Sequence, residues 1–273
     1  METLKAGANP ALREAIYAGT VVRIPSSSAS RRLVAEVWAA IEREFGAATA
    51  RRELQFKLPG EELYARIGKV RKRLSSEATY QKLLYELLSE QGFAKGEHAV
   101  DPVRLRAVTH NGHENPLAAP AYTAHRDSWY ANPEAQINWW IPLHDVTEAD
   151  TFAFFYDLFG KPVENNSGDF DYDEWMKSVG WQNTNGKAAV YPSVDEGILS
   201  AEKGVAFSAE AGEMILFSCA HLHQTVKNVS GLTRFSIDFR TVHLLDHEAG
   251  KGAVNVDNKS TGSALKDYLV PQS

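Results

Sequence analysis

The first third of the chain repeats apolar residues at the spacing of amphipathic helices. Three sets recur at intervals of three and four positions: Leu33, Val37, Ala40 and Ile41; Leu63, Ile67, Val70 and Leu74; and Leu83, Leu84, Leu87 and Leu88. Serines at 26–28 precede the first set and are typical of a helix N-terminus. The pattern therefore predicts a mainly helical segment over residues 1–95.

After residue 96 the pattern changes to that of β-strands. Short runs rich in Val, Ile, Phe and Trp alternate with turn residues, and they predict strands at 103–108, 136–143, 214–218, 220–226 and 233–243. Within 136–143, Gln136, Asn138 and Trp140 share one face, because successive side chains of a strand point to opposite sides. We expect these three residues to face the interior.

A long connection at about 156–204 interrupts the strand-rich region. It predicts a short helix at 173–179 and a turn at 183–186, and a polar tail follows the last strand at 246–273. Long connections often carry function, so we expect this insertion to cover the mouth of a site or to support a homodimer. The chain is interpreted as one domain over 1–273, with a helical buttress at 1–95 and a β core at 96–245.

The last two predicted strands are interpreted as a hairpin that turns at Asn228–Gly231. Thr225 would then face Arg234, and His223 would face Ser236. One face of the hairpin would carry Cys219, His221, His223, Thr225, Arg234, Ser236, Asp238 and Arg240, and the other Leu222, Val226, Phe235, Ile237 and Phe239. We expect the apolar face to lie under the helices and the polar face to line a cavity. A jelly roll would have this arrangement.

Candidate metal ligands lie within the strand-rich region. His125 and Asp127 are two positions apart and share a face of a strand, and His223 follows much later. Two imidazoles and one carboxylate are the ligand set that holds non-haem Fe(II) and leaves other positions open. Arg234 supplies the two-pronged donor that would bind the carboxylate of a co-substrate. His221 competes with His223 for the ligand role, and Arg240 with Arg234 for the carboxylate.

These residues resemble the Fe(II)/2-oxoglutarate-dependent dioxygenases, and most closely their phytanoyl-CoA dioxygenase-like branch. In that branch the second histidine is followed five residues later by Asn and eleven residues later by the Arg that binds 2-oxoglutarate; His223, Asn228 and Arg234 keep these offsets. The turn at Gly212-Glu213 before the strand at 214–217 is also similar to the family's approach to that histidine. The resemblance covers about residues 100–245.

The resemblance implies a double-stranded β-helix that uses Fe(II), 2-oxoglutarate and O₂. It implies that His125, Asp127 and His223 hold the iron and that Arg234, assisted by Ser236, binds the C5 carboxylate of 2-oxoglutarate. The implied reaction converts 2-oxoglutarate to succinate and CO₂ and oxidises a C–H bond of a small molecule, such as an amino acid or a specialised metabolite. Hydroxylation is the simplest outcome; desaturation and ring closure begin in the same way. Halogenating relatives have a small residue in place of the carboxylate, so Asp127 favours hydroxylation over chlorination.

Further residues are candidates for the pocket. Gln136 and Asn138 would bind 2-oxoglutarate or the substrate. Substrate-binding roles are predicted for Arg106, His110, Trp140, His221 and Arg240; for Arg240 the alternative is an ion pair with Asp238 or Glu213. Trp129, Tyr130, Trp139 and the Phe152–Phe155 run are expected to be core, and Cys219 a small buried filler.

Composition limits the classes of protein that remain. The formal net charge of −6 disfavours a nucleic-acid partner, and with it a nucleic-acid demethylase. No apolar run is long enough to cross a membrane, no secretory signal is evident, and the single cysteine excludes an intrachain disulfide. A cytoplasmic location is expected from these features.

Two other classes stay open at the level of sequence. A cupin-type metal enzyme that does not use 2-oxoglutarate would keep the iron ligands but have no need of Arg234. A non-catalytic jelly-roll binding module would use its histidines for structure or for zinc, although the lack of a cysteine cluster disfavours structural zinc.

Overall fold

A helical layer is formed mainly by the N-terminal part of the chain. The structure, a computed structural model, describes residues 1–3, 10–46, 51–94, 96–116, 118–178, 180, 191–194, 196–199 and 203–270. Its helices are α1 (Pro10–Tyr17), α2 (Ser28–Phe45), α3 (Gly60–Ser76), α4 (Ala78–Glu90), α5 (Tyr172–Ser178), α6 (Glu196–Leu199) and α7 (Leu244–Glu248). Helices α2, α3 and α4 coincide with the three apolar repeats. Ser27 and Ser30 cap α2 reciprocally, each side chain accepting a hydrogen bond from the other's backbone N–H.

Nine strands form two sheets within the described residues. They are β1 (Glu2–Thr3), β2 (Val22–Ile24), β3 (His98–Val100), β4 (Arg104–Val108), β5 (Gln136–Pro142), β6 (Phe152–Phe154), β7 (Met214–Ser218), β8 (His223–Thr225) and β9 (Arg234–His243). The major sheet has the order β1-β2-β7-β5-β9-β3, with β4 also paired to β9. The minor sheet pairs β6 with β8, and isolated bridges from His125 to His223 and from Phe154 to Val205 widen it. Two facing sheets of this kind make the predicted jelly-roll fold.

The major sheet is covered by helices on its outer face. Ile137 and Trp139 of β5 and Phe235 and Ile237 of β9 are buried in one apolar core with residues of α1, α2, α3 and α4. Burying a side chain of this size contributes about 1.5–3 kcal/mol, so the helices and the sheet stabilise each other. The alternation predicted for β5 and β9 is therefore confirmed.

The space between the two sheets is apolar at one end and polar at the other. Trp140, Phe152, Phe154 and Phe217 pack together between the sheets. Gln136, Asn138, Arg234 and Ser236 are buried on the same inner side of the major sheet. A jelly roll lined in this way can exclude water from one half of its interior and present ligands in the other.

The predicted hairpin between β8 and β9 is wrong. β8 pairs with β6 in the minor sheet, whereas β9 lies between β5 and β4 in the major sheet. Asn228 is fully buried in the connection, where its Nδ2 donates to the carbonyls of Val108 and Leu232, both at 2.8 Å. These two hydrogen bonds hold the connection that runs from β8 in the minor sheet to β9 in the major sheet.

The expected partners of Leu222 also need correction. Leu222 is fully buried in a separate cluster with Ala124, Trp129 and Phe155, not beneath the N-terminal helices. Because β8 belongs to the minor sheet, its outward side faces the insertion rather than the helices. Cys219 is buried as predicted, and burial raises the pKa of its thiol.

The insertion and the C-terminal tail are tied to the chain around the candidate ligands. Asp257 accepts hydrogen bonds from Arg126 Nε at 3.1 Å, Trp129 Nε1 at 2.8 Å and the Val163 backbone N–H at 3.0 Å. Arg126 is almost fully buried and also donates to the carbonyls of residues 158, 161 and 220. The helix predicted at 173–179 is α5, and the turn predicted at 183–186 lies outside the described residues.

The helices of the described chain include none that is both long and apolar enough to cross a membrane.

Candidate metal centre

His125, Asp127 and His223 converge at one point between the two sheets. Each offers one ligand atom, and the three atoms lie within 4.8 Å of one another. The backbone bridge between His125 and His223 aligns the two histidines side by side, with ring centroids 4.5 Å apart. Asp127 begins the 3-10 turn Asp127–Tyr130, which directs its carboxylate back toward His125 Nε2, at 3.4 Å. The sequence-predicted triad is therefore brought together in space.

Backbone hydrogen bonds fix the tautomer of both histidines. Nδ1 of His125 lies 2.9 Å from the carbonyl of Thr123, and Nδ1 of His223 lies 3.0 Å from the carbonyl of His221. A carbonyl can only accept, so each Nδ1 carries the proton and each Nε2 keeps its lone pair. Metal-binding histidines are held in this way, with the second ring nitrogen donating to a fixed acceptor.

The carboxylate of Asp127 is supported on the side away from the histidines. Its Oδ2 lies 3.4 Å from Arg240 Nε and 3.5 Å from Gln136 Nε2. Gln136 in turn accepts a 2.8 Å hydrogen bond from the hydroxyl of Tyr268, which comes from the C-terminal tail. The carboxylate orientation is thus set by β5, β9 and the tail together.

The electrostatics of the triad favour the metal-binding protonation states. Burial alone would raise the pKa of Asp127, but Arg240, together with the two histidines, outweighs burial and holds the pKa of that carboxyl well below its usual range. Burial, reinforced by His125, lowers the pKa of His223 to about 4. At neutral pH the site therefore offers a carboxylate anion and a neutral imidazole. Oxygen and nitrogen donors of this kind fit Fe(II).

Arg234 lies on the inner side of the same sheet without a carboxylate partner among the described residues. It is 3% exposed, donates from Nε to the Asp150 carbonyl at 3.2 Å and from Nη1 to Ser236 Oγ at 2.6 Å. The Asp150 carboxylate pairs instead with Arg52. Burial lowers the pKa of Arg234 to about 10, so it is still charged at neutral pH. A buried, charged guanidinium needs an anion, and the second carboxylate of a dicarboxylic acid would supply one.

Trp140 and Ser236 support this guanidinium. The Trp140 ring lies beneath Arg234, 5.8 Å from its Cζ, and Trp140 Nε1 donates to Ser236 Oγ at 3.0 Å. Ser236 therefore links the indole to the guanidinium and helps to fix its plane. Trp140 otherwise belongs to the apolar cluster between the sheets, which favours a structural and positioning role over substrate binding.

Asn138 carries a buried polar atom without a partner. Its Oδ1 accepts from Gln136 Nε2 at 2.9 Å, while its Nδ2 is buried and has no hydrogen-bond partner. Such a group costs about 1–3 kcal/mol unless a ligand satisfies it. Asn138 is therefore available to a bound molecule, whereas Gln136 is already engaged by Asp127, Asn138 and Tyr268.

Two arginines predicted for the substrate have carboxylate partners of their own. Arg106 makes a two-pronged ion pair with Asp238, at 2.6 and 2.9 Å. Arg240 lies 2.9 Å from Asp101 and 3.9 Å from Asp238, in addition to its contact with Asp127. The ion pair of Arg240 with Asp238 is the alternative that the sequence left open, and it leaves Arg240 less suited to binding substrate.

His221 and His110 lie away from the three converging ligand atoms. Nε2 of His221 is 3.1 Å from the carbonyl of Gly19, and its ring packs on Phe159 with centroids 4.6 Å apart. His221 supports His223 through its backbone carbonyl. His110 Nδ1 accepts the backbone N–H of Gly231 at 3.1 Å, in the connection between β8 and β9.

Sequence reasoning missed the residues that support the site from a distance. Tyr268 lies in the polar tail, and Asp101 precedes a strand; neither belongs to a motif with the ligands. The large apolar residues near the end of the tail, which include Tyr268, are the signal that could have pointed to packing of the tail on the core. Their roles depend on chain crossings that no spacing rule fixes.

A cavity of about 520 Å³ is lined in part by residues that neighbour the candidate ligands in sequence. Tyr122 and Tyr191 lie in its wall, together with Thr123 of the segment before His125 and Thr225 of β8. Among these, Tyr191 comes from the described part of the insertion. The cavity has the size of a small-molecule site.

No protein-family model matches this chain, and no curated protein does. Solved structures with a similar fold include ThoJ, described as a non-heme monooxygenase (14% identity, TM-score 0.43, 85% of this chain and 77% of that chain covered). Another is SnoN, described as a non-heme alpha ketoglutarate dependent epimerase from nogalamycin biosynthesis (15% identity, TM-score 0.41, 95% and 98% covered). A third is EvdO2 from Micromonospora carbonacea var. aurantiaca, complexed with 2-oxoglutarate (13% identity, TM-score 0.48, 89% and 94% covered). At these identities and TM-scores the likeness assigns no reaction to this chain.

Proposed function

We propose that this protein is an Fe(II)- and 2-oxoglutarate-dependent oxygenase that hydroxylates a C–H bond of a small molecule. One observation carries the proposal: a His-Asp-His triad with ligand atoms within 4.8 Å shares its interior with a buried arginine that has no carboxylate partner among the described residues. A metal triad accounts for the first feature and a dicarboxylate co-substrate for the second. The offsets of Asn228 and Arg234 from His223 support the phytanoyl-CoA dioxygenase-like branch.

Each residue has a defined part in this proposal. His125, Asp127 and His223 would hold Fe(II), and Arg234, oriented by Ser236 and Trp140, would bind the C5 carboxylate of 2-oxoglutarate. When bound, the iron supplies O₂ activation, so that 2-oxoglutarate, O₂ and R–H give succinate, CO₂ and R–OH. The unpartnered Nδ2 of Asn138 would donate to 2-oxoglutarate or to the substrate.

The surroundings of the site serve to position and protect the reactants. The apolar cluster of Phe152, Phe154 and Phe217 closes one end of the interior and keeps bulk water away from the metal. Because Asp127 is present, the triad is complete, which favours hydroxylation over chlorination. Desaturation and ring closure remain outcomes that the identity of the substrate would decide.

An anaerobic titration tests the cofactor chemistry directly. Apo-protein receives Fe(II) and then 2-oxoglutarate, and the visible metal-to-ligand charge-transfer band of the chelate is recorded. We expect the band in the wild type and its loss in His223→Ala. In Arg234→Ala the 2-oxoglutarate needed should rise on the order of 100-fold, because charge-assisted hydrogen bonds contribute about 1.5–3 kcal/mol each.

Two further variants separate charge from geometry. Arg234→Lys keeps the charge but not the two-pronged donor, so its affinity for 2-oxoglutarate should lie between those of wild type and Arg234→Ala. Arg23→Ala removes a partly exposed arginine outside the site and should leave the band unchanged. Iron binding without any band would instead indicate a cupin-type enzyme that does not use 2-oxoglutarate, and no iron binding would indicate a binding module.

A further inference from the structure

The cavity of about 520 Å³ is lined in part by apolar and aromatic residues. Its lining includes Pro116 and Pro120 together with Tyr122 and Tyr191. Rigid rings of this kind give a large contact area for little loss of side-chain entropy. At about 520 Å³ the cavity holds a molecule with one or two rings.

Two threonines join this cavity to the proposed metal ligands. Thr123 lines the cavity and also accepts the Nδ1 proton of His125 through its carbonyl. Thr225 lines it from β8, two residues after His223, and residues two apart in a strand share a face. The cavity is therefore lined by residues that flank His125 and His223 in the chain; Gln224, on the other face of β8, lines it as well.

One lining residue interacts electrostatically with the proposed 2-oxoglutarate arginine. Tyr122 is buried, donates to the Thr109 carbonyl at 3.2 Å and is close enough to Arg234 for each group to shift the pKa of the other. Tyr122 therefore lines the cavity and also interacts electrostatically with Arg234. A substrate must lie near both the metal and the co-substrate if its C–H bond is to meet the oxidant.

The charge around the cavity is one-sided. Lys227 is an exposed lining residue, while no Asp or Glu of the described chain lines the cavity. An anionic group on the bound molecule would be attracted to this rim, and a cationic group would have no acidic partner in the lining.

We propose that this cavity is the substrate pocket and that it takes a small molecule with an apolar ring body and an anionic group, a carboxylate or a phosphate ester, bound at Lys227. The assignment rests on the proposed oxygenase function, because it calls the occupant the substrate. The binding chemistry itself depends only on the cavity and its lining, so it can be tested without iron.

The first arm measures equilibrium binding to the metal-free protein by proton NMR line broadening. The probes are 2-naphthoate, 2-naphthyl phosphate and the neutral 2-naphthylmethanol. We expect at least one anion to bind several-fold more tightly than the neutral probe, and the better anion identifies carboxylate or phosphate recognition. Lys227→Glu should weaken the anion at least tenfold and leave the neutral probe unchanged, while Lys251→Gln, at an exposed lysine outside the cavity lining, should change neither.

Equal binding of the anions and the neutral probe, or indifference of the anions to Lys227→Glu, would overturn the proposed substrate class. Binding of none of the three probes would overturn the assignment of an apolar ring body. These outcomes leave the proposed metal chemistry untouched.

The second arm asks whether the cavity adjoins the metal. Mn(II) replaces Fe(II), and the paramagnetic broadening of the bound naphthoate protons is compared between the wild type and Asp127→Ala. Broadening that occurs in the wild type but not in Asp127→Ala supports the proposal. If Mn(II) binds but does not broaden the bound probe, the cavity is not the substrate pocket; if Mn(II) does not bind at all, the proposed oxygenase function fails while the first arm still decides the ligand chemistry.

Discussion

Asp127 is the residue at which most of the supporting contacts meet. One carboxylate oxygen faces His125, and the other faces Arg240 and Gln136. The second oxygen is therefore satisfied by the protein, and the first is the one left for a metal. Support of this kind from outside the ligand set fixes ligand orientation and commonly changes metal affinity by about 10- to 100-fold.

Tyr268→Phe tests whether the tail contributes to this support. The variant removes the hydroxyl that donates to Gln136 at 2.8 Å and so loosens the amide that faces Asp127. We expect the affinity for Fe(II) or Mn(II), measured by anaerobic calorimetry, to fall about tenfold. Tyr85→Phe, which loses a 2.6 Å contact with Gln81 on α4, is the matched control and should not alter the affinity. Equal affinity in Tyr268→Phe and wild type would contradict a role for the tail.

At the scale of elements, the connection between β8 and β9 decides which side chains share the interior. Alternation along β9 was enough to predict which of its residues face the helices and which face inward. It could not give the neighbour of β8, because a strand pattern specifies faces and not partners. Proximity in sequence suggested a hairpin, whereas the pairing with β6 depends on a segment about 70 residues away.

Asn228→Ala tests this connection. The side chain is fully buried and satisfies the carbonyls of Val108 and Leu232, so its loss leaves two acceptors unpaired. We expect the free energy of unfolding, measured by urea denaturation, to fall by about 2–4 kcal/mol. Ser230→Ala, which removes an exposed hydroxyl bonded to the same asparagine, should cost less than about 1 kcal/mol. Similar losses in the two variants would show that the buried amide does not hold the connection.

For the whole molecule, the fold class and the convergence of His125, Asp127 and His223 could be predicted from the sequence, while the hydrogen-bond network around them could not. The jelly roll follows from short alternating strands after a helical segment, and the triad from ligand types at recognisable offsets. Arg240 was assigned to the right face but considered for a substrate or co-substrate carboxylate, because Asp101 approaches it only through the pairing of β3 and β9. Long-range pairing of this kind leaves no local signal.

Stability should depend on pH through buried histidines remote from the metal centre. Burial lowers the pKa of His98, which faces His243, Arg13 and Asp246, to about 4. In the unfolded chain a histidine takes up a proton at an ordinary pKa of about 6.5, whereas His98 in the folded protein does so only near pH 4. The free energy of unfolding is therefore unaffected by this residue above pH 6.5 and decreases as the pH falls from 6.5 toward 4. We expect a loss of about 2 kcal/mol from this residue between pH 7 and pH 5.

Urea denaturation of the metal-free protein at the two pH values measures this loss. His98→Gln cannot titrate and should show a smaller decrease than the wild type, whatever its stability at pH 7. A decrease of the same size in both would place the pH dependence elsewhere, for example at His221 and His223, whose pKa values burial also lowers to about 4.

Arg126 gives the metal centre a connection to the far side of the minor sheet. In sequence it lies between the proposed ligands His125 and Asp127. Its side chain points the other way and donates hydrogen bonds to Asp257 and to the carbonyls of Leu158 and Lys161. We expect an ion that orders His125 and Asp127 to order the guanidinium between them as well, and by thermodynamic reciprocity docking of the tail would then strengthen ion binding. Order in the C-terminal segment should then increase when the metal binds. Amide hydrogen exchange at residues 253–261 should become slower upon metal loading.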